Sequence, residues 1–422
     1  FFVKGTRDVN NKISISDFYR GKSIFLTGGS GFLGKVYIQK LLDIDGVGNI
    51  YVLIRGKKGL KIEHRVQEIF NNELFSKIRQ TRPEDLKKVV PVAGDVALPN
   101  LGISDEDENI LREKVSVVIH SAATVRFYEQ LSISMNVNFE GTKRILELCK
   151  RINNLEAFVH ISTAFINTDR QVVDEVVYPS PRSVQEVYDF IEKGYTDQEL
   201  EVFINGKINT YTFTKAIAEK YVEDNHGDIP TAIIRPSIGR STLPIGWVDN
   251  WAGVSRIGYD VAQGYARVVP GDGTNNMDMI PVDYCANLTL AAAAKCPRSV
   301  LNRDRKFGGN IPKLYKNSDF AIKTLSFLLQ TVPAYVADYF LKITGQTPKW
   351  VKLNKRVVSY REAIKPFSKE EWVFIARNMG DLFEELAPED QQLFPVSPHD
   401  VDWKTYIPTY SQGIRKYLTY EY

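Results

Sequence analysis

Tyr211 and Lys215 stand four residues apart in Tyr211-Thr212-Phe213-Thr214-Lys215. On a helix that spacing puts a phenol and an ammonium on one face, one turn apart. A free phenol titrates at about pH 10. A neighbouring positive charge favours the phenolate and lowers that value, which makes the phenol a usable proton donor near neutrality. Such pairs arise easily in a chain with 21 tyrosines, so the surroundings of this one decide its weight. Ser162-Thr163 ends an apolar run upstream, and the hydroxyl of Thr163 or Ser162 would hold a reacting oxygen in reach of the phenol. The alternative for Thr163 is a strand-end hydroxyl that caps local backbone.

A second constellation lies near the start. Thr27-Gly28-Gly29-Ser30-Gly31-Phe32-Leu33-Gly34 follows the apolar run Ser23 to Thr27 and precedes apolar residues at helical spacing from Phe32 to Leu42. Gly28, Gly31 and Gly34 serve three needs of a dinucleotide loop. These are a tight turn after the strand, close approach of pyrophosphate to backbone, and packing of helix on strand. The helix N-terminus adds N–H groups and the positive end of its dipole. Thr27, Gly28, Ser30, Gly31, Phe32, Leu33 and Gly34 are thus the expected cradle; the alternative is an ordinary strand-to-helix turn.

About 20 residues past the loop, NAD sites usually carry an acidic residue for the ribose hydroxyls. This chain has Arg55, followed by Lys57 and Lys58. A guanidinium suits a 2′-phosphate, so the expected cofactor is NADPH; the alternative is solvated surface charge. Asp95 and Val96 follow a third apolar run, where a carboxylate can accept from an adenine amino group. Ser121 and Ala122 follow a fourth, where small side chains let a ribose lie close. Lys215 would reach the cofactor ribose as well as Tyr211.

The elements that must position these groups read as alternating strands and helices. Strands are expected at Ser23–Thr27, Ile50–Ile54, Val89–Ala93, Val115–His120, Ala157–Ile161 and Thr231–Ile234. Helices are expected over Phe32–Leu42, Asn138–Arg151 and Tyr211–Asn225. This alternation predicts an α/β fold with a doubly wound parallel sheet, of Rossmann type, whose functional ends share one edge. From about Asn317 the pattern turns helical and aromatic, without a clear strand. The expected division is therefore residues 1–316, a nucleotide-binding reductase domain with substrate-binding insertions, and 317–422, a smaller and mostly helical domain. Ser368-Lys369-Glu370-Glu371 resembles a capping box. Trp372, Ile375, Met379, Leu382, Phe383 and Leu386 would then form one apolar stripe of a packed helix.

The bulk numbers exclude more than they assign. The chain has 422 residues, 43% hydrophobic and 25% charged, so it is long enough for more than one globular domain. A net charge of +3 argues against a nucleic-acid partner. Cys149, Cys285 and Cys296 lack metal spacing and make an odd count, which suits a reducing compartment with neither metal site nor disulfides. The chain does not begin with Met and is expected to be a fragment. The uncharged stretch Thr324 to Ala337 is interrupted by Pro333 and is too short for a span, reading as a buried or interfacial helix.

These residues resemble the extended short-chain dehydrogenases/reductases and, more specifically, the alcohol-forming fatty acyl-CoA reductases of animals. The resemblance rests on Phe18 to Lys22, Thr27 to Lys35, Tyr51 to Arg55, His120 to Phe127 and Asn138 to Thr142. It continues through His160 to Phe165, Ile234 to Ser237, Gly246 to Asn250, Ile280 to Asp283, Asp402-Trp403 and Gly413 to Leu418. It implies that Thr163 (or Ser162), Tyr211 and Lys215 are catalytic. It also implies that the loop and Arg55 hold NADPH, and that a long-chain acyl-CoA becomes a fatty alcohol. It further implies membrane association through a tail absent from this chain, on the cytosolic face of the endoplasmic reticulum or on a peroxisome. Two departures stand out: Leu301 to Ser326 is shorter than the family pattern, leaving part of a substrate channel altered, and the chain stops at Tyr422. Competing expectations are a sterol or nucleotide-sugar dehydrogenase on the same scaffold, or a protein that senses NADPH without turnover.

Overall fold

The computed structural model describes residues 12–56, 62–242, 246–251, 254–269, 278–298 and 319–419. Lys57, Lys58 and residues 301–318 of the shortened stretch lie outside these. Contacts group the chain into two units. The first takes 1–243, 279–307 and 374–402; the second takes 244–278, 308–373 and 403–422.

The first unit is built on six parallel strands: β1 (Ser23–Thr27), β2 (Ile50–Ile54), β3 (Val89–Ala93), β4 (Val115–His120), β5 (Ala157–Ile161) and β6 (Thr231–Ile234). Their order is β3-β2-β1-β4-β5-β6, with the reversal beside β1. In open sheets of this kind ligands bind beyond the strand carboxyl ends at that reversal. The central strands read as unbroken apolar runs because both faces are covered; every residue of β2 and β5 is buried. On one face Phe25, Val118, Phe158 and Ile233 pack with Ile145, Leu146 and Cys149 of α2 (Gly141–Arg151) and Val222 of α3 (Thr210–Asn225). On the other face lie α1 (Phe32–Leu42) and α4 (Val282–Lys295), joined by the Tyr37 hydroxyl and Thr289 Oγ1 at 3.0 Å.

The returning segment belongs to this unit. The Asp390 carboxylate accepts the Ile15 N–H at 2.7 Å, and backbone bonds join Ile13 to Glu385 and Ala387, each at 2.8 Å. Asn287 Nδ2 donates to the Pro395 carbonyl at 2.8 Å. A single cut at 316–317 therefore does not reproduce the grouping: 374–402 stay with the sheet and 244–278 go with the second unit.

The second unit is helical as expected, with α5 (Asp319–Ser326), a π-helical turn Phe327–Thr331, α6 (Val332–Ile343) and α7 (Trp350–Lys369). Gly246, at φ +66°, meets Gly413 so closely that a Cβ on Gly413 would lie 1.9 Å from the Gly246 carbonyl oxygen. The Ser255 and Tyr410 hydroxyls sit 2.7 Å apart in the interior.

Two expectations fail near residue 370. Ser368 and Lys369 end α7 rather than start a helix, and a two-residue strand, Val373–Phe374, follows. The next helix runs Arg377–Glu385, so Trp372 and Ile375 are not on it. The resemblance to a capping box failed because helix α7 already held those residues, and a cap needs extended backbone before the first turn. Among the described residues no helix is long and apolar enough to cross a membrane.

Candidate active site

The glycine loop forms as its composition requires. Gly28 has φ +75°, and a Cβ there would come within 2.8 Å of Ser121 and Ala122 backbone. Only glycine takes that conformation freely. A Cβ on Gly34 would lie 2.1 Å from the Gly28 carbonyl oxygen, so the third glycine lets α1 pack on the turn. Gly31 is the N-cap of α1 and brings no side chain to cap it. A side-chain-free helix start beside a backbone cradle fits the pyrophosphate of a dinucleotide. Ser30 is exposed, and Phe32 and Leu33 are half-buried in the first turn.

Around this loop the cofactor candidates divide. Arg55 leaves the end of β2 with its side chain 75% exposed, in only a long 3.9 Å contact with Asp95. Asp95 Oδ1 accepts the Ala97 N–H at 3.0 Å. The Val96 side chain belongs to the apolar core against Gly141, so only its backbone is available to a ligand. Ser121 and Ala122 are half-buried at the end of β4, and Thr27 Oγ1 accepts the Ala122 N–H at 3.1 Å.

The catalytic candidates meet at the end of β5. Tyr211 is half-buried on the first turn of α3, and the Thr163 side chain beside it draws the phenol's pKa down. Thr163 is also an N-cap, with Oγ1 3.4 Å from the Phe165 N–H, so local capping and contact with the phenol coexist. Ser162 is different: its hydroxyl is buried without a hydrogen-bond partner. Of the two hydroxyls, the geometry brings Thr163 to Tyr211. Asn209 caps α3 by accepting the Thr212 N–H at 2.9 Å, which fixes where that first turn begins.

Lys215 does not acidify the phenol in this structure. Its Nζ donates to the Ile161 carbonyl at 2.6 Å and meets His160 Nε2 at 3.1 Å. Burial pushes the Tyr211 phenol up to about 12, opposed by Thr163. Burial likewise pulls Lys215 down to about 7, opposed by Glu219. Desolvation thus outweighs the attraction expected from the spacing, because the amine is held against β5.

The spacing did not reveal the polar row beneath the site. Thr27, His120 and His160 are register partners across β1, β4 and β5. Thr27 Oγ1 lies 2.8 Å from His120 Nδ1, and His120 Nε2 lies 3.0 Å from Thr142 Oγ1. Burial, and then Lys215, pulls His120 down to about 3 and His160 well below its usual range, so both rings are neutral. Asn138 ties the β4 loop to α3, accepting from Thr124 N–H at 2.9 Å and donating to Thr214 Oγ1 at 3.0 Å. A histidine inside an apolar strand was the available signal, since a buried ring needs partners.

Comparison with known proteins gives the arrangement its relatives. A family model described as male sterility protein matches residues 26–289, and a second with that description matches 329–421. Fatty acyl-CoA reductase wat of Drosophila melanogaster is 34% identical, the alignment covering 97% of this chain and 87% of that protein. Fatty acyl-CoA reductase 1 of Rattus norvegicus is 32% identical over the same shares. Among solved structures, the terminal R domain of the myxalamid PKS-NRPS pathway superposes with a TM-score of 0.60 at 19% identity, covering 98% of this chain and 94% of that one. The R domain of a nonribosomal peptide synthetase from Mycobacterium tuberculosis does so at 0.57 and 18%, covering 96% and 94%. The structural likenesses bear on the fold. Taken with the glycine cradle and the Tyr211–Thr163 contact, the sequence likeness shows that the chain belongs to the fatty acyl-CoA reductase family and is an oxidoreductase with a nicotinamide cofactor.

Proposed function

We propose that the protein reduces a long-chain fatty acyl-CoA to the fatty alcohol with NADPH, releasing CoA, in two hydride transfers through an aldehyde. The placement that carries the proposal is that of Tyr211 beside Thr163, whose side chain draws the phenol's pKa down, in the unit that also bears the glycine loop. When bound, the cofactor's nicotinamide supplies the hydride. Thr163 and Tyr211 offer two hydroxyl donors to one carbonyl oxygen, which orients a thioester and stabilises the charge that develops on it. A phenol held at about 12 keeps its proton at neutral pH, which is the form a general acid needs, and is a weaker acid than the lowered phenol the spacing predicts. Lys215, one helical turn on, braces the end of β5 through the Ile161 carbonyl and His160. Thr163 and Tyr211 serve the aldehyde as well, since both steps protonate an oxygen.

Arg55 supports the choice of NADPH. Its guanidinium is exposed at the end of β2 with no tight ion pair to break, and it fits a 2′-phosphate by charge and shape. Arg55→Ala should weaken NADPH binding about tenfold or more while leaving NADH binding nearly unchanged; equal losses for both cofactors would count against this role. The overall reaction is tested by incubating the purified chain with NADPH and a mixture of acyl-CoAs, with a sterol offered in parallel. Products are identified by mass spectrometry. Fatty alcohol, with two NADPH consumed for each, supports the proposal. Aldehyde alone would change the product class, sterol oxidation or reduction would favour the related dehydrogenases, and no consumption would favour a sensing role.

A further inference from the structure

Residues 319–343 form a continuous helix from α5 through the π turn into α6, and its polarity is inverted. Ordinary surface helices bury their apolar stripe and expose their polar one. Here the side toward the rest of the unit is small and polar. Ser326 and Gln330 are buried, bonded to each other at 2.9 Å and to the Arg361 guanidinium. Gln330 Nε2 also donates to the Tyr265 carbonyl at 3.2 Å. Asp338 accepts the N–H groups of Lys349, Trp350 and Val351 at 2.8 to 2.9 Å and so caps α7.

The outward side is large and apolar. Ten Leu, Val, Ile, Phe and Tyr side chains between Leu325 and Ile343 are 39% to 65% exposed. Leu328, Val332, Tyr335, Val336, Tyr339 and Phe340 follow i, i+4, i+7, i+8, i+11 and i+12 spacing, one stripe of a helix. A stripe of this size exceeds what soluble surfaces leave uncovered.

Charge identifies what covers it. Residues 319–362 carry seven Lys or Arg against two Asp and one Glu, the Glu362 carboxylate being paired with the buried Arg361. Lys323, Lys342, Lys349, Lys352, Lys355 and Arg356 are exposed, whereas Asp338 is engaged as a cap. A second copy of this face would bring like charges together; an anionic lipid surface satisfies both the apolar stripe and the cations. We propose that this helix lies in the interface of an anionic bilayer, with Tyr335 and Tyr339 at headgroup depth. The inner side stays bonded to Arg361 and Tyr265, so the helix rests in one leaflet and does not cross it. This contact is separate from the tail attachment expected from the family resemblance.

The test is flotation of the 422-residue chain with phosphatidylcholine vesicles, with and without about a third phosphatidylserine. The chain should float with the anionic vesicles. Leu328→Glu with Phe340→Glu should lower that binding about tenfold or more, and Lys342→Glu with Lys352→Glu should remove the preference for phosphatidylserine. Both pairs are exposed, and unchanged far-ultraviolet circular dichroism confirms folding. As an independent readout, Phe340→Trp should shift its emission to the blue on anionic vesicles. Flotation that the Glu pair leaves unchanged would overturn the proposal. So would a wild type that stays in solution while the Glu pair converts a dimer to a monomer, because the face would then join two copies.

Discussion

Thr163 and Ser162 are adjacent hydroxyls with different surroundings, and that difference can be tested. Thr163 lies beside the Tyr211 phenol and draws its pKa down, whereas the Ser162 hydroxyl is buried without a partner. Thr163→Val should lower kcat/KM about a hundredfold, in the range of a lost oxyanion donor. Ser162→Ala should leave it within about threefold, since no hydrogen bond is removed. The reverse order would reassign the site. Lys215 makes a thermodynamic prediction in the ligand-free protein. Its amine releases a proton at about 7 in the fold, but at about 10.4 in the unfolded chain. Between those values the unfolded state binds more protons, so stability rises with pH by up to about 1.4 kcal/mol per unit. Lys215→Met should flatten the urea-unfolding free energy between pH 7 and pH 10 relative to wild type. Parallel curves would show that the amine is not so buried. That Tyr211 and Lys215 share one helix was legible because an i, i+4 spacing is local. The contact of Lys215 with His160 was not, because it depends on how α3 lies on β5.

Among elements, legibility followed burial. Runs such as Ile50-Tyr51-Val52-Leu53-Ile54 have no polar residue because helices cover both faces, so the six strands of the sheet could be placed from composition alone. The order of the strands could not, since register and crossover are long-range. The segment Trp372 to Leu386 was misread because a helical stripe and a short strand followed by a helix place similar residues inward. The helices Val184–Lys193 and Asp197–Phe203 went unread although both open with capping boxes, Ser183 with Glu186 and Thr196 with Glu199. The glycine loop separates the demands on its members. Gly34→Ala puts a Cβ 2.1 Å from the Gly28 carbonyl oxygen, whereas Gly31→Ala meets the same atom at 3.2 Å. Gly34→Ala should therefore lower NADPH affinity, measured by cofactor fluorescence, at least about tenfold more than Gly31→Ala does. Equal effects would deny that helix packing shapes the cradle.

At the scale of the whole molecule, the chain returns to its first unit. Segment 374–402 supplies the Asp390 carboxylate that accepts the Ile15 N–H, backbone bonds to Ile13 and the ion pair between Glu385 and Lys295 at 2.8 Å. A fragment ending at residue 316 lacks all three and should melt at least about 5 °C below the full chain. Asp390→Ala alone should cost about 1–3 kcal/mol, as the loss of a buried hydrogen bond to a charged group does. A fragment as stable as the full chain would mean that the return is incidental. In the proposed reaction Tyr211, with Thr163 beside it, protonates the oxygen of an acyl group reduced by NADPH. This step is tested most directly by the rate of NADPH oxidation with a long-chain acyl-CoA, in wild type and Tyr211→Phe, with NADPH affinity measured alongside. Turnover should fall at least about a hundredfold in the variant while NADPH binds nearly as before. Undiminished turnover without the phenolic hydroxyl would contradict it.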